Sequence, residues 1–206
     1  MTGKHICFCG LDGAGKTTQA KYLKQYYESI KQECEIIHGF KPGKYNEALK
    51  TYAKKNGDKF REAYPATIRS ISYLCDMHEN YYDKIFAKLQ VGCNVISDKY
   101  VMDSVVNAPL LEANPKIIED FAAVIPNPDI YICLLVEPEE AYRRMKLRGG
   151  QDSESKKNSL DFMRHTYQIY KGLENKYLNL VCVDGMDDEK KVSTSIIDIL
   201  SLKNLI

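Results

Sequence analysis

Gly10, Gly15, Lys16 and Thr17 stand at the spacing G-x-x-x-x-G-K-[ST], with Leu11, Asp12, Gly13 and Ala14 between them and Thr18 directly after. This set of residue types suits the holding of a string of phosphates. Glycines let backbone N–H groups close in on the oxygens, and a helix N-terminus adds a favourable dipole. A lysine can reach the outer phosphates, and a threonine hydroxyl can ligate Mg²⁺. The plain alternative is a glycine turn leading into a helix, and at average composition the pattern arises by chance in roughly one chain in a hundred of this length. The flanking residues favour the chemical reading. "HICFC" (His5–Cys9) is a short apolar run that reads as a buried strand, and Ala20, Leu23, Tyr27 and Ile30 follow at the spacing of one helix face. Strand, glycine-rich turn and helix come in the order that a nucleotide-binding loop requires.

A second group lies in "CNVISDKYVMDS" (Cys93–Ser104), where a strand ends on Asp98. A carboxylate there can reach the metal shell beside the phosphate loop, or it can simply cap the next helix. Lys99 offers a point charge to a further phosphate. "GGQDSESKKNS" (Gly149–Ser159) is polar, led by glycines, and follows a helix bearing Arg143, Arg144 and Arg148. It reads as a lid that closes over ATP, or as a solvated surface loop. The seven cysteines are odd in number, and Cys7, Cys133 and Cys182 fall in expected core strands, as buried free thiols in a reducing compartment would. Cys7 and Cys9 form a C-x-C that favours packing over zinc. The four histidines (His5, His38, His78, His165) suggest no metal cluster.

The elements that must position these residues alternate along the chain. Apolar runs at His5–Cys9, Cys34–Phe40, Asn94–Ser97, Asp129–Val136 and Leu178–Val183 are separated by helical patterns, which argues for a parallel α/β sheet with ligands beyond its carboxyl ends. One long helix is expected from about Thr67 to Val91, its inner face marked by Ile68, Ile71, Leu74 or Cys75, His78, Tyr82, Ile85 and Leu89. A shorter helix starts at Pro138 and runs to about Arg148, and a closing helix covers Glu189–Leu202. The 206 residues suit one domain, and a net charge of +1 gives no global attraction to nucleic acid or anionic membrane. With no signal-like start and no apolar run of membrane-spanning length, a soluble cytoplasmic protein is expected.

These motifs together resemble the thymidylate kinases, within the nucleoside monophosphate kinases. The resemblance runs through "CFCGLDGAGKTT", "YLCDM" on the long helix, "DKYVMDS" and "PDIYICLLVEPEEAYRRMKLRGG", in family order and spacing over nearly the whole chain. It implies a three-layer P-loop NTPase fold with five parallel strands flanked by helices, a single domain spanning residues 1–206 and a lid at about residues 149–159. It implies transfer of a phosphoryl group from ATP, with Mg²⁺, to a nucleoside monophosphate. Residues Gly10 to Thr18 and Arg144 would then hold the donor, and Thr17 and Asp98 the metal. Lys16, Asp12, Lys99 and Arg148 would carry the catalysis. Phe40, Tyr73, Met77, Lys99, Tyr100 and Asn107 would bind the acceptor. Family members pair through the long helix, so a homodimer is expected, with "NYYDK" (Asn80–Lys84) either at the contact or packed inward.

The departures gather at the acceptor. Met77 stands where the family has an arginine that helps read the base, and a thioether cannot donate a hydrogen bond. Asn107 replaces an aromatic, Phe40 and Lys41 replace an arginine and a glutamate, Lys99 replaces an arginine, and Ser153 stands in place of a lid arginine. Either compensating residues rebuild a thymidylate site or the acceptor is another monophosphate. A nucleotide-binding regulator without catalysis is the alternative from a different class. A guanine-nucleotide switch is disfavoured because "NKYL" (Asn175–Leu178) lacks the aspartate of N-K-x-D.

Overall fold

The computed structural model describes residues 2–38, 43–148, 159–173 and 176–206. Five strands form one sheet: β1 (His5–Gly10), β2 (Cys34–Ile37), β3 (Asn94–Asp98), β4 (Ile130–Leu135) and β5 (Leu180–Asp184). Their spatial order is β2-β3-β1-β4-β5 and every pairing is parallel. The helices are α1 (Lys16–Ser29), α2 (Lys44–Lys55), α3 (Phe60–Ala63), α4 (Ala66–Asn80), α5 (Ala87–Gln90), α6 (Val101–Asn107), α7 (Pro115–Ala122), α8 (Pro138–Leu147), α9 (Leu160–Gly172) and α10 (Glu189–Leu202).

The sheet is buried on both faces, which is why its strands read as unbroken apolar runs. Successive side chains alternate between two cores. Ile6, Phe8, Ile130, Ile132 and Leu134 join Leu23 and Tyr27 of α1 and Ile196 and Leu200 of α10. Cys7, Cys9, Val95, Tyr131 and Cys133 join Leu74 and Met77 of α4, Val101 and Val106 of α6 and Tyr170 of α9. At about 2–3 kcal/mol for each large side chain buried, either core is ample to hold its helices against the sheet. No disulfide joins cysteines among the described residues, and Cys7 and Cys9 are fully buried. No helix among the described residues is long and apolar enough to cross a membrane.

The long helix forms over nearly its expected span but is not uniform. A π-helical stretch, Tyr81–Phe86, joins α4 to α5. The wider turn adds to the residue count per revolution, so a 3.6-residue period cannot be carried across it. Tyr82 is therefore exposed, Ile68 near the helix start is exposed as well, and Ser72, Leu74, Asp76, Met77 and Ile85 are buried. Strand β5 begins at Leu180 and leaves Leu178 in solvent, and β2 stops at Ile37.

The order of strands decides where ligands go. The chain runs from β1 to one side, fills β3 between β1 and β2, and then adds β4 on the far side of β1. That reversal leaves a crevice at the carboxyl ends. The phosphate loop, Asp98 and Lys99 all emerge there.

Candidate active site

The loop after β1 is held down by close backbone packing. Gly10 has φ +125°, and a Cβ there would lie 2.6 Å from the Leu134 carbonyl oxygen. Gly13 has φ +89°, and its Cβ would lie 2.1 Å from the Ala141 oxygen on α8. No side chain caps α1 at Gly15, so the first N–H groups of the helix suit an anion.

Beside the loop lies a cleft of about 440 Å³ lined by Asp12, Lys16, Thr17, His38, Asp98, Lys99 and Arg148. The Lys16 ammonium is buried and donates to its own loop, to the Gly10 carbonyl at 2.9 Å and the Leu11 carbonyl at 2.6 Å. Burial lowers its pKa and Lys99 adds to that, against Asp12, Asp103 and Asp98. Strand register sets Asp98 opposite Phe8, next to the loop. The Thr17 hydroxyl donates to Asp98 Oδ2 at 2.5 Å, so two hard oxygen donors lie side by side. This pair fits Mg²⁺, which takes one or two protein oxygens and completes its shell with water and phosphate. Among the described residues no three His, Cys, Asp or Glu side chains gather to hold a metal by themselves.

Lys99 leaves β3 with φ +69°, an uncommon conformation for a residue with a Cβ. Its N–H bonds the Phe8 carbonyl at 3.0 Å, which ties the turn to β1. Its ammonium reaches Asp12 Oδ1 at 2.5 Å, while Lys16 approaches the same oxygen at 3.7 Å. Burial acts to lower the Lys99 pKa, but Asp12, Asp103 and Asp98 together outweigh it, and the net shift is upward. Asp12 thus stands between two cations drawn from different elements.

On the far side of Asp12 and Lys99 a smaller cavity, about 90 Å³, opens between the loop, α6 and α9. Asp103, Asn107, Thr166 and Tyr170 line it. Asp103 is buried and accepts from the Tyr100 N–H at 3.1 Å and the Tyr170 hydroxyl at 2.9 Å. Burial pushes its carboxyl above the usual range, opposed by Lys99, Lys16 and those two donors. On the other flank of the loop, Ala14, Thr18, Arg144, Arg148 and Gly185 line a third cleft of about 420 Å³. Arg144 is held there by Glu140 at 2.7 Å and by the Gly185 carbonyl at 3.2 Å.

Comparison with known proteins agrees with this arrangement. The family model described as thymidylate kinase matches residues 8–196. A thymidylate kinase of Thermoanaerobacter sp. (strain X514) is 30% identical, with 97% of this chain and 98% of the relative covered. The chain belongs to the thymidylate kinase family. More distant relatives include a probable thymidylate kinase of Pyrococcus abyssi, 26% identical over 96% of this chain and 95% of its own length. A thymidylate kinase of Francisella tularensis subsp. holarctica is 26% identical over 97% and 96%.

Within this thymidylate kinase framework, Asp12, Lys16, Thr17, Asp98, Lys99 and Arg148 meet at one cleft, and Asn107 lines the smaller cavity. Two residues expected at the acceptor are buried and line none of these clefts. Met77 is 2% exposed and packs in the apolar core with Leu74 and Ile85, because an uncharged thioether is stable there where an arginine would not be. Tyr100 is 1% exposed and donates its hydroxyl to the Pro126 carbonyl, so it braces the turn from behind. Tyr73 is half-buried on α4 and lines none of these three clefts. Phe40, Lys41, Ser153 and the lid residues 149–158 lie outside the described residues.

Three residues were not singled out from the sequence. Asp103 sits in the quoted "DKYVMDS" but reads as an ordinary capping residue, and it does serve in a capping box with Tyr100. Its signal was an acid set among the apolar Val101, Met102, Val105 and Val106 of a short helix. Tyr170 gave none. His38 lies just past β2 with Nδ1 4.0 Å from Asp98 Oδ2. Asp76, in the family's "YLCDM" segment, accepts N–H bonds from Gly43, Tyr45 and Asn46 and so anchors the start of α2.

Proposed function

We propose that the protein transfers the γ-phosphoryl group of ATP to a nucleoside monophosphate, dTMP or a close relative, giving ADP and the diphosphate. The observation that carries this reading is the pairing of Lys16 and Lys99 with one carboxylate, Asp12. Two phosphate-seeking cations face one another across a single cleft, which is more than hydrolysis of one nucleotide requires. Acceptor-dependent ADP release across a panel of monophosphates tests it. ATP binding with turnover indifferent to every acceptor would leave only a nucleotide-binding regulator.

Phosphoryl transfer asks little of a general base, and positioning with charge neutralisation supplies most of the rate. Lys16 is parked on the Gly10 and Leu11 carbonyls and exchanges those acceptors for donor phosphate oxygens. Lys99, preset by its turn and by Asp12, takes the acceptor phosphate. Asp12 keeps the two ammonium groups apart and oriented. Thr17 and Asp98 would hold Mg²⁺, which when bound neutralises charge on the donor phosphates. Arg144 and Arg148 flank the donor, and residues 149–159 serve as the lid.

We assign the protein to the cytoplasm, in keeping with seven cysteines and no disulfide among the described residues. A homodimer through the long helix is supported by the exposed Ile68, Tyr82 and Phe86 on that element, with Tyr81 turned inward. Sedimentation should report a dimer, and Tyr82→Glu should weaken it.

A further inference from the structure

Away from the clefts, three thiols stand in a row across the sheet. The register sets Cys9 of β1 opposite Cys133 of β4, and Cys133 opposite Cys182 of β5. Paired residues of parallel strands send their side chains to the same face, here the core shared with α4, α6 and α9. The Cys133 thiol shares hydrogen bonds with both neighbours. Access from solvent is graded along the row. Cys9 and Cys133 are 0% exposed, whereas Cys182 lies on the edge strand and is only half-buried. Burial pushes the Cys9 thiol up to about 11, so it stays protonated at neutral pH and serves as packing.

The row does not suit a metal. Among the described residues no three His, Cys, Asp or Glu side chains gather to hold one, and thiols standing parallel on three strands do not converge on a point. It does suit a bond between neighbours. Adjacent strands lie about 4.8 Å apart, within the roughly 4.4–6.8 Å that separates the Cα atoms of linked cysteines. Parallel side chains keep the Cβ atoms about as far apart as the strands, so such a bond would draw β4 and β5 together and stay easy to reduce.

We propose that Cys182 and Cys133 form a peroxide-sensitive thiol pair, in which Cys182 reacts first and Cys133 resolves it. The Cys182 thiolate attacks hydrogen peroxide and breaks its O–O bond. It becomes a sulfenic acid, and the departing hydroxide takes the proton that the thiol had lost. The Cys133 sulfur then displaces the sulfenic hydroxide, which leaves as water with the Cys133 proton. Two thiols and one peroxide thus give one disulfide and two waters, and an added dithiol reverses the change. The bond would act on the donor side. Just beyond the pair, the Gly185 N–H donates to the Leu135 carbonyl at 2.8 Å. The Gly185 carbonyl in turn holds Arg144 at 3.2 Å on the third cleft, so strands drawn together displace that wall.

The test treats the full chain with hydrogen peroxide, alkylates the remaining thiols and maps the peptides by mass spectrometry. KM for ATP and for the monophosphate is measured on the same sample. A peptide linked through Cys133 and Cys182 is expected. KM for ATP should rise about threefold or more, with KM for the monophosphate within about twofold, and dithiothreitol should restore both. Cys182→Ser should keep the untreated kinetics and lose both the link and the response. Cys133→Ala should leave Cys182 to pass on to an acid that dithiothreitol does not reduce. Should Cys133→Ala fail to fold by circular dichroism, the half-buried Cys182→Ser decides. A Cys182 left unmodified, a link between other cysteines, or a response that survives in Cys182→Ser overturns the thiol pair. A linked peptide with KM for ATP unchanged overturns its action on the donor side. The peptide map needs no turnover, so its failure is distinct from failure of the kinase reading.

Discussion

The two halves of the active site are built by different means. The donor half is mostly backbone: glycines packed against Leu134 and Ala141, an uncapped helix start, and one buried lysine, all within eight consecutive residues. The acceptor half is mostly side chain, assembled from the end of β3 and the adjoining α6, and from α9, which lies far along the chain from both. The contrast teaches why phosphate binding is generic and acceptor choice is not. Every nucleoside triphosphate offers the same oxygens to the same N–H groups, while sugar and base must be read by side chains that each protein can exchange.

Breaking the donor half should have the largest effect. Lys16→Met should lower kcat about a thousandfold, with the fold intact by circular dichroism, since no other side chain can occupy the loop's centre. Gly13→Ala should act through the backbone instead. A Cβ placed 2.1 Å from a carbonyl oxygen, at φ +89°, should remove about 3 kcal/mol of stability in denaturant unfolding. A loss below about 1 kcal/mol would show the loop to be more pliant than its packing implies.

A control under both halves is His5, buried at the start of β1 with Nε2 2.7 Å from the Ser97 hydroxyl. Burial lowers its pKa from 6.5 to about 3. The unfolded imidazole takes a proton near pH 6.5 and the folded one resists until about pH 3, so this contribution is complete above 6.5 and is lost as pH falls toward 3. Between pH 7 and 5 the protein should lose about 2 kcal/mol, and His5→Gln should flatten that slope. An unchanged slope in the variant would assign the acid sensitivity elsewhere.

The smallest effect sharpens the comparison most. Lys99→Met should raise KM for the monophosphate about tenfold and leave KM for ATP within about twofold. Equal changes in both constants would mean that the halves are not separable.

Legibility in the sequence followed the same division. The five strands, the phosphate loop, Asp98 and the closing helix Glu189–Leu202 could be read directly, because each rests on contiguous residues or on a short period. Along the long helix Ile71, Leu74, Ile85 and Leu89 face the core as expected, while Ile68 and, inside the π-helical turn, Tyr82 are exposed. Met77 and Tyr100 were expected at the acceptor on motif position alone, and position on a helix does not say which way a buried side chain faces. Asp103 was passed over because its partner, Tyr170, is 67 residues away.

By itself the sequence determined the layered α/β architecture, since apolar runs alternating with amphipathic helices can be buried in few other ways. It also determined the donor cradle, whose geometry is local. Only the tertiary structure decided that Lys16 and Lys99 share Asp12, and that Asp103, Asn107, Thr166 and Tyr170 line one small cavity. Those contacts join elements distant in the chain, and the strand order that brings them together is a property of packing, which no short stretch of residues contains.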